Sequence, residues 1–119
     1  MNVVLIGASN KPDRYSYMAL KRLLDAGHEV FPIHKIHKEI DGIKVYNSIN
    51  EIKVPIDTIT LYVNSEVSNS MSDDIISSAP RRVIFNPGAE NYELRELARA
   101  KGIETVFACT LVMLSTGSF

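Results

Sequence analysis

The amino-acid sequence predicts an α/β fold in which one doubly wound parallel sheet carries helices on both faces. Short apolar runs without strict alternation recur along the chain, a pattern typical of strands that are buried on both faces. Segments with helical spacing separate these runs, as parallel strand connections require. Right-handed crossovers favour a strand order that reverses beside the first strand. We therefore expect five or six parallel strands, with the first strand central.

The first 33 residues predict a strand, a loop, a helix and a second strand. Residues 3–6 are apolar, and residues 7–14 form a polar, turn-rich segment. A helical pattern over residues 17–26 ends at Gly27, and residues 30–33 are apolar again. This order is typical of the first unit of a nucleotide-binding α/β fold. A helix that begins just after a buried parallel strand directs unpaired N–H groups at the ligand and favours phosphate.

The rest of the chain continues the alternation of strands and helices. Turn-forming residues such as Gly42 separate the elements, and Ser48 with Glu51 matches a capping box. Ser65 is expected to cap a helix that stops near Pro80. We find no repeat or linker, so we expect one domain over residues 1–119. The expected elements are strands at 43–46 (weak, near an edge), 58–63, 83–85 and 105–108, a helical turn at 48–51, and helices at 65–80, 92–101 and 110–114.

Composition and charge narrow the classes of function. The chain has 45% hydrophobic and 23% charged residues, as an ordinary soluble globular protein does. Its formal net charge of −1 argues against charge-driven binding to nucleic acid or to an anionic membrane. No apolar run approaches the about 20 residues that span a bilayer, and the N-terminus has no signal-peptide pattern. Cys109 is the only cysteine, which fits a reducing compartment, so we expect a cytoplasmic location.

The loop after the first strand offers polar groups to a phosphate. In open parallel sheets ligands bind at the carboxyl ends of the strands, where residues 7–14, 33–35, 62–64 and 86–91 are expected to converge. Ser9 and Pro12 stand where a dinucleotide fingerprint has its second and third glycines, so a tightly pressed pyrophosphate is disfavoured. The side chains that can bind phosphate instead are Ser9, Lys11, Arg14 and Ser16, although Lys11 taken alone fits a solvated loop lysine better than a ligand contact.

The end of the second strand discriminates between nucleotide ligands. An NAD site needs an acidic residue there for the ribose hydroxyls, and this chain has His34 and Lys35 instead. A basic pair suits a ligand with an extra ribose phosphate, either the 3′-phosphate of coenzyme A or the 2′-phosphate of NADP. For each residue taken separately, an exposed loop position without a ligand remains an equal alternative.

Taken together, these segments resemble the small stand-alone CoA-binding proteins. Their Rossmann-like domain is related to the CoA-binding domain of succinyl-CoA synthetase and of the ADP-forming acyl-CoA synthetases. The resemblance covers nearly the whole chain. The residues that carry it are Gly7-Ala8-Ser9, Arg14-Tyr15-Ser16, the segment 27–33, Asp57 with Tyr62-Val63, and the segment 86–91.

The resemblance implies where the parts of CoA would lie. Gly7, Ala8 and Ser9 would form the diphosphate turn, with Arg14 as a charged partner. The pocket for adenine and ribose would involve Pro32, with Lys35 near the ribose phosphate. Many relatives have an Asn-Pro pair where this chain has His34-Lys35, which affects the ribose-phosphate contacts most. The other implied contacts are Tyr62, Val63 and Asn64 at the adenine or pantetheine wall, and Asn86, Pro87 and Gly88 beside the pantetheine arm.

The sequence contains no complete catalytic constellation. No cluster of cysteines or carboxylates completes a metal site around His34 and His37, and Cys109 is expected to be packed in the core. Asp73 and Asp74 are expected on a solvated helix face. The leading hypothesis is a non-catalytic binder of CoA or acyl-CoA, with a small nucleotide ligand as its partner and homodimerisation left open. The alternatives are an NADP(H)-binding oxidoreductase or redox sensor, and an interaction subunit of a larger acyl-CoA synthetase-like assembly.

Overall fold

The computed structural model describes residues 1–119 and contains seven strands and five α-helices. The strands are β1 (Asn2–Ile6), β2 (Glu29–Ile33), β3 (Glu39–Ile40), β4 (Ile43–Lys44), β5 (Thr58–Leu61), β6 (Arg82–Phe85) and β7 (Glu104–Phe107). The helices are α1 (Tyr15–Asp25), α2 (Ser65–Ser70), α3 (Ser72–Ser77), α4 (Tyr92–Ala100) and α5 (Thr110–Thr116), with one 3₁₀ turn at Ile49–Glu51.

Five of the strands form one all-parallel sheet in the order β2-β1-β5-β6-β7. The prediction of a doubly wound α/β sheet that reverses beside the first strand is confirmed. The first strand is interior, but the central strand is β5. The first strand is not central because no further strand pairs with the outer edge of β2. Residues 34–57 form a hairpin and a 3₁₀ turn instead of the helix and strand that would extend the sheet there.

The hairpin of β3 and β4 lies beside the outer edge of β2. Its strands pair antiparallel, and Tyr46 makes an isolated parallel bridge to Ile33. The weak strand expected at 43–46 therefore lies near the sheet edge, as its sequence indicates. Asp41 ties the hairpin to α1, because its carboxylate accepts a hydrogen bond from the Tyr17 hydroxyl and pairs with the Lys21 ammonium group at 3.0 Å.

The helix expected over residues 65–80 is two helices, α2 and α3, which meet at Met71. Serine hydroxyls compete for the main-chain carbonyls here, and Ser70 donates a hydrogen bond to the Val67 carbonyl. Such bonds weaken helix interiors. The cap also differs from the expectation, since the side-chain oxygen of Asn64 accepts the N–H of Val67 at 2.9 Å. The residue that caps α2 is therefore Asn64, one residue before the expected Ser65.

Two hydrophobic layers cover the sheet. On one face Val3 and Leu5 of β1 pack with Ala19, Leu20 and Leu23 of α1. The opposite face of β1, β5 and β6 packs against α3 and α4. The buried side chains of that layer include Val4, Ile6, Ile59, Leu61, Ile75, Phe85 and Leu94. Burial on both faces explains why the strands lack an alternating pattern. None of the helices is both long and apolar enough to cross a membrane.

Candidate functional site

The turn after β1 is held tightly between the ends of β2 and β5. The N–H groups of Gly7 and Ala8 both donate to the Ile33 carbonyl, at 3.2 and 3.1 Å. Gly7 has φ +94°, and a Cβ atom there would lie 2.9 Å from the Tyr62 carbonyl oxygen and 3.0 Å from Val63 Cγ1. Only glycine fits this position. Because both amides bind within the fold, an anion at this turn would depend on the groups that follow, from Ser9 onward.

A polar cavity of about 440 Å³ opens between this turn and the start of α1. Arg14 precedes the helix, is exposed, and makes no capping hydrogen bond. Neither Arg14 nor Lys11 takes part in an ion pair of the fold. Two uncommitted cations beside a helix N-terminus favour an anionic ligand. The lining residues are Gly7, Ala8, Ser9, Asn10, Lys11, Arg14, Tyr15, Ser16, His34, His37 and Tyr62.

A second, larger cavity of about 580 Å³ lies on the other side of the Gly7 turn. Gly7, Ala8 and His34 line both cavities, so the two are neighbours along the same edge of the sheet. The second cavity is mainly apolar, with Lys35 on its wall. Its remaining lining residues are Ile6, Ile33, Ile36, Asn47, Ser48, Ile49, Val63, Val67, Met71 and Asp74.

The segment between the cavities is shaped by His34. Its Nδ1 atom accepts the N–H groups of Ile36 and His37, at 3.0 and 3.1 Å. The proton of the neutral ring therefore lies on Nε2, which leaves a donor for a ligand. Burial, and next the neighbouring His37, lower the pKa of His34. The Asn47 side chain donates to the carbonyls of His34 and Lys35, at 2.8 and 3.3 Å, and holds the same segment from outside.

This arrangement gives His34 a role that an asparagine side chain often has at a turn. An asparagine side chain commonly accepts a main-chain N–H two residues further on. The Nδ1 atom of His34 makes that same bond to Ile36 and a second one to His37. His34 is therefore a half-buried residue with a structural task on the wall of both cavities, rather than a free loop side chain.

Tyr62 separates the polar cavity from the interior of the sheet. Its hydroxyl is buried and has no hydrogen-bond partner within the chain. Burial raises the pKa of Tyr62 to about 12, so the side chain is a neutral phenol at physiological pH. Cys109 was expected to be packed in the core, but it is half-buried at the start of α5 and lines neither cavity. No three His, Cys, Asp or Glu side chains come together in a geometry that could hold a metal ion.

Nine of the residues expected at the site come together around the two cavities, and five lie elsewhere. Pro32 is buried in β2 opposite Leu5, and Asn64 caps α2. Pro87 and Gly88 are exposed in the turn after β6. Asn86 is 1% exposed and bonds only to groups of the fold. The nine that line the cavities are Gly7, Ala8, Ser9, Arg14, Ser16, His34, Lys35, Tyr62 and Val63.

The structure adds cavity residues that the sequence reasoning did not select. Asn10, Tyr15 and His37 line the polar cavity. Each lies close in sequence to a residue that was predicted to belong to the site, and this proximity could have identified them. Asp74 corrects an expectation, because it is half-buried and lines the apolar cavity, whereas Asp73 is exposed as expected. The helical spacing of Val67, Met71 and Asp74 would have placed them on one face.

Comparison with known proteins identifies the family. A family model described as "CoA binding domain" matches residues 1–115. The "Uncharacterized protein YneT" of Bacillus subtilis (strain 168) is 29% identical over 100 residues, which cover 84% of this chain and 74% of that protein. A crystal structure titled "uncharacterized protein" has 42% identity, a TM-score of 0.89, and coverage of 99% of this chain and 97% of the other. A hypothetical protein from Pyrococcus horikoshii OT3 has 28% identity and a TM-score of 0.89, over 96% of this chain and 81% of its own.

The chain is also similar to part of a larger enzyme. It is 28% identical to the "Acetate--CoA ligase [ADP-forming]" of Methanocaldococcus jannaschii over 97% of this chain, but it spans only 18% of that ligase. The similarity to the ligase is thus a similarity to one region of it. With the family model matched over nearly the whole sequence and the same fold in solved relatives, the chain belongs to the CoA-binding domain family.

Proposed function

We propose that this protein binds coenzyme A, or an acyl-CoA, at the carboxyl edge of its parallel sheet, without catalysis of its own. The observation that carries the proposal is the pair of neighbouring cavities around the Gly7 turn, one polar with two uncommitted cations and one apolar. CoA combines the same features, because a diphosphate joins its adenosine to an uncharged arm. Membership of the CoA-binding domain family supports this ligand.

The diphosphate and the phosphorylated adenosine each have a complementary surface. Lys11 and Arg14 lie beside the N-terminus of α1 and attract the diphosphate. The apolar cavity suits the adenine ring, and Lys35 on its wall supplies a cation for the 3′-phosphate. The Nε2 proton of His34 offers a neutral donor between the two regions, since its Nδ1 atom already accepts main-chain bonds.

The competing nucleotide ligands fit less well. NAD calls for a carboxylate directly after the second strand, where this chain has His34 and Lys35. NADP would suit the basic pair, but the family comparison gives it no support. Binding without catalysis is favoured because the cavities pair no nucleophile with a base, and the Nδ1 lone pair of His34 is engaged by two amides.

A second candidate function is a CoA-binding part of a larger assembly. The similarity to one region of an ADP-forming acetate–CoA ligase supports this candidate. Co-elution of the tagged chain with acyl-CoA synthetase activity from its native cells would favour it. Elution of the chain free of that activity would favour the stand-alone binder.

CoA is expected to raise the melting temperature, and NAD is not. At a free CoA concentration about 100 times the dissociation constant, binding to the native state adds about 2.7 kcal/mol, or about 10 °C for a domain of this size. Differential scanning fluorimetry with CoA, acetyl-CoA, dephospho-CoA, NADP and NAD measures the shifts. We expect a smaller shift with dephospho-CoA, which lacks the phosphate assigned to Lys35. Equal shifts with NAD and CoA would contradict the proposal.

The variant Arg14→Ala is expected to weaken CoA binding by about 1.5–3 kcal/mol, because it removes a charge-assisted bond to a phosphate. Stability should change little, since the Arg14 side chain is exposed and caps nothing. Isothermal titration calorimetry measures the affinity. Arg22→Ala is the matched control, as Arg22 lies within α1, the helix that Arg14 precedes, but bonds to Ser115, away from both cavities. Equal affinities of the two variants would show that Arg14 does not contact the ligand.

A further inference from the structure

One wall of the apolar cavity is a stripe of side chains that ends in a carboxylate. Val67, Met71 and Asp74 line this cavity and follow one another at helical spacing through α2 and α3, and Val63 lines it just before α2 begins. Val63 lies at the Gly7 end, because its Cγ1 atom is among the atoms nearest to Gly7. Asp74 lies in α3, beyond the break at Met71. The carboxylate therefore lies on the part of the cavity wall that α3 forms, whereas Val63 lies beside the Gly7 turn.

The carboxylate of Asp74 has little within the fold to bind. It forms no ion pair, and its one side-chain partner is the Asn50 amide at a long 3.5 Å. The amide of Asn47, which lines the same cavity, is committed elsewhere, since it donates to the carbonyls of His34 and Lys35. A ligand that fills the apolar cavity would remove water from the Asp74 carboxylate. This costs free energy unless the ligand itself donates a hydrogen bond to the carboxylate.

We propose that Asp74 selects the base of the bound nucleotide by accepting a hydrogen bond from the exocyclic amino group of adenine. This inference rests on the proposed function, because it assumes that the adenosine of CoA occupies the apolar cavity. An ionised carboxylate only accepts hydrogen bonds, so its partner on the ligand must be a donor. The amino group is the only N–H donor of adenine in a nucleotide, and it lies on the edge of the base away from the ribose.

The position of Asp74 makes this contact a specificity determinant. With the diphosphate beside Lys11 and Arg14 and the ribose phosphate near Lys35, the amino edge of the base is directed toward the α3 wall of the cavity, where Asp74 lies. A base without a donor would leave the carboxylate desolvated and unpaired, and such sites reject the wrong ligand strongly. Discrimination should therefore depend on the chemistry of residue 74 and not on the apolar walls.

The test compares CoA with 1,N6-etheno-CoA, whose modified base has no N–H donor. We expect calorimetry to give the wild-type protein at least about a tenfold preference for CoA, as a bond to a charged group provides. In Asp74→Asn the preference should fall to within about threefold, because the amide can turn its N–H toward the acceptor nitrogen of the etheno ring. Asparagine has the size of aspartate, so a purely steric preference would persist in this variant. The control Asp73→Asn changes the exposed neighbour and should keep the wild-type ratio.

The possible results distinguish failure of the role assigned to Asp74 from failure of the proposed CoA binding. If the wild-type protein binds both ligands equally, or if Asp74→Asn keeps the wild-type ratio, the role of Asp74 is overturned while CoA binding stands. If the wild-type protein binds neither ligand, the proposed function falls and the inference falls with it. A ratio that changes in Asp74→Asn and not in Asp73→Asn supports the assignment of Asp74.

Discussion

Replacing Gly7 with alanine is expected to lower the free energy of unfolding by about 2–5 kcal/mol and to distort both cavities. The residue has φ +94°, a conformation that costs a side-chain-bearing residue about 1–2 kcal/mol. In addition, the new Cβ would lie 2.9 Å from the Tyr62 carbonyl oxygen and 3.0 Å from Val63 Cγ1. The Tyr62 carbonyl oxygen belongs to the main chain directly after β5, the central strand, so it cannot move aside.

Gly27→Ala is the matched control for this substitution. Gly27 has a similar φ of +88°, but no atom lies within 4 Å of the position that its Cβ would take. It should show the conformational cost alone, about 1–2 kcal/mol. Urea denaturation of the two variants measures the difference, and CoA titration should show a loss of binding only for Gly7→Ala. Equal destabilisation by the two substitutions would contradict the close approach at Gly7.

The second large effect is expected for Asn86→Ala, at about 3–5 kcal/mol of lost stability. The Asn86 amide donates to Thr60 Oγ1 at 2.7 Å and to the Leu61 carbonyl at 2.9 Å. Its oxygen accepts the Thr110 N–H at 2.8 Å, and the hydroxyls of Thr60 and Thr110 lie 2.8 Å apart. The side chain thus joins the ends of β5 and β6 to the start of α5. Alanine would leave these buried groups without their partner.

Chemical denaturation measures the stability of Asn86→Ala, with Asn10→Ala as its control. Asn10 is exposed in the loop after β1, so its substitution should change stability by less than about 0.5 kcal/mol. A loss below about 1 kcal/mol in Asn86→Ala would show that water or a rearranged Thr60 satisfies the buried groups. If the variant retains CoA binding while it loses stability, Asn86 supports the site without contacting the ligand.

The sequence by itself determined the class of fold and the position of the turn after β1. Apolar runs that alternate with helical patterns are local signals, and burial on both faces of a parallel sheet produces them directly. The glycine after the first strand is also a local signal. The structure then supplied its physical reason, the approach of Gly7 to Tyr62 and Val63. Arg14 and Ser16 lie beside this turn and Lys35 lies after β2, as their positions in the sequence predicted.

Only the tertiary structure decided which polar residues face the cavities and which hold the fold. Asn86 and Asp74 look alike in sequence, as polar residues beside an apolar segment. The partners of Asn86 lie 24 to 26 residues away, at Thr60, Leu61 and Thr110, and they bury it completely. Asp74 was expected in solvent, yet the break at Met71 and the segment over residues 47–49 leave it on the cavity wall. Hydrogen bonds between distant segments carry no local pattern, so the role of such residues appears only when the chain is folded.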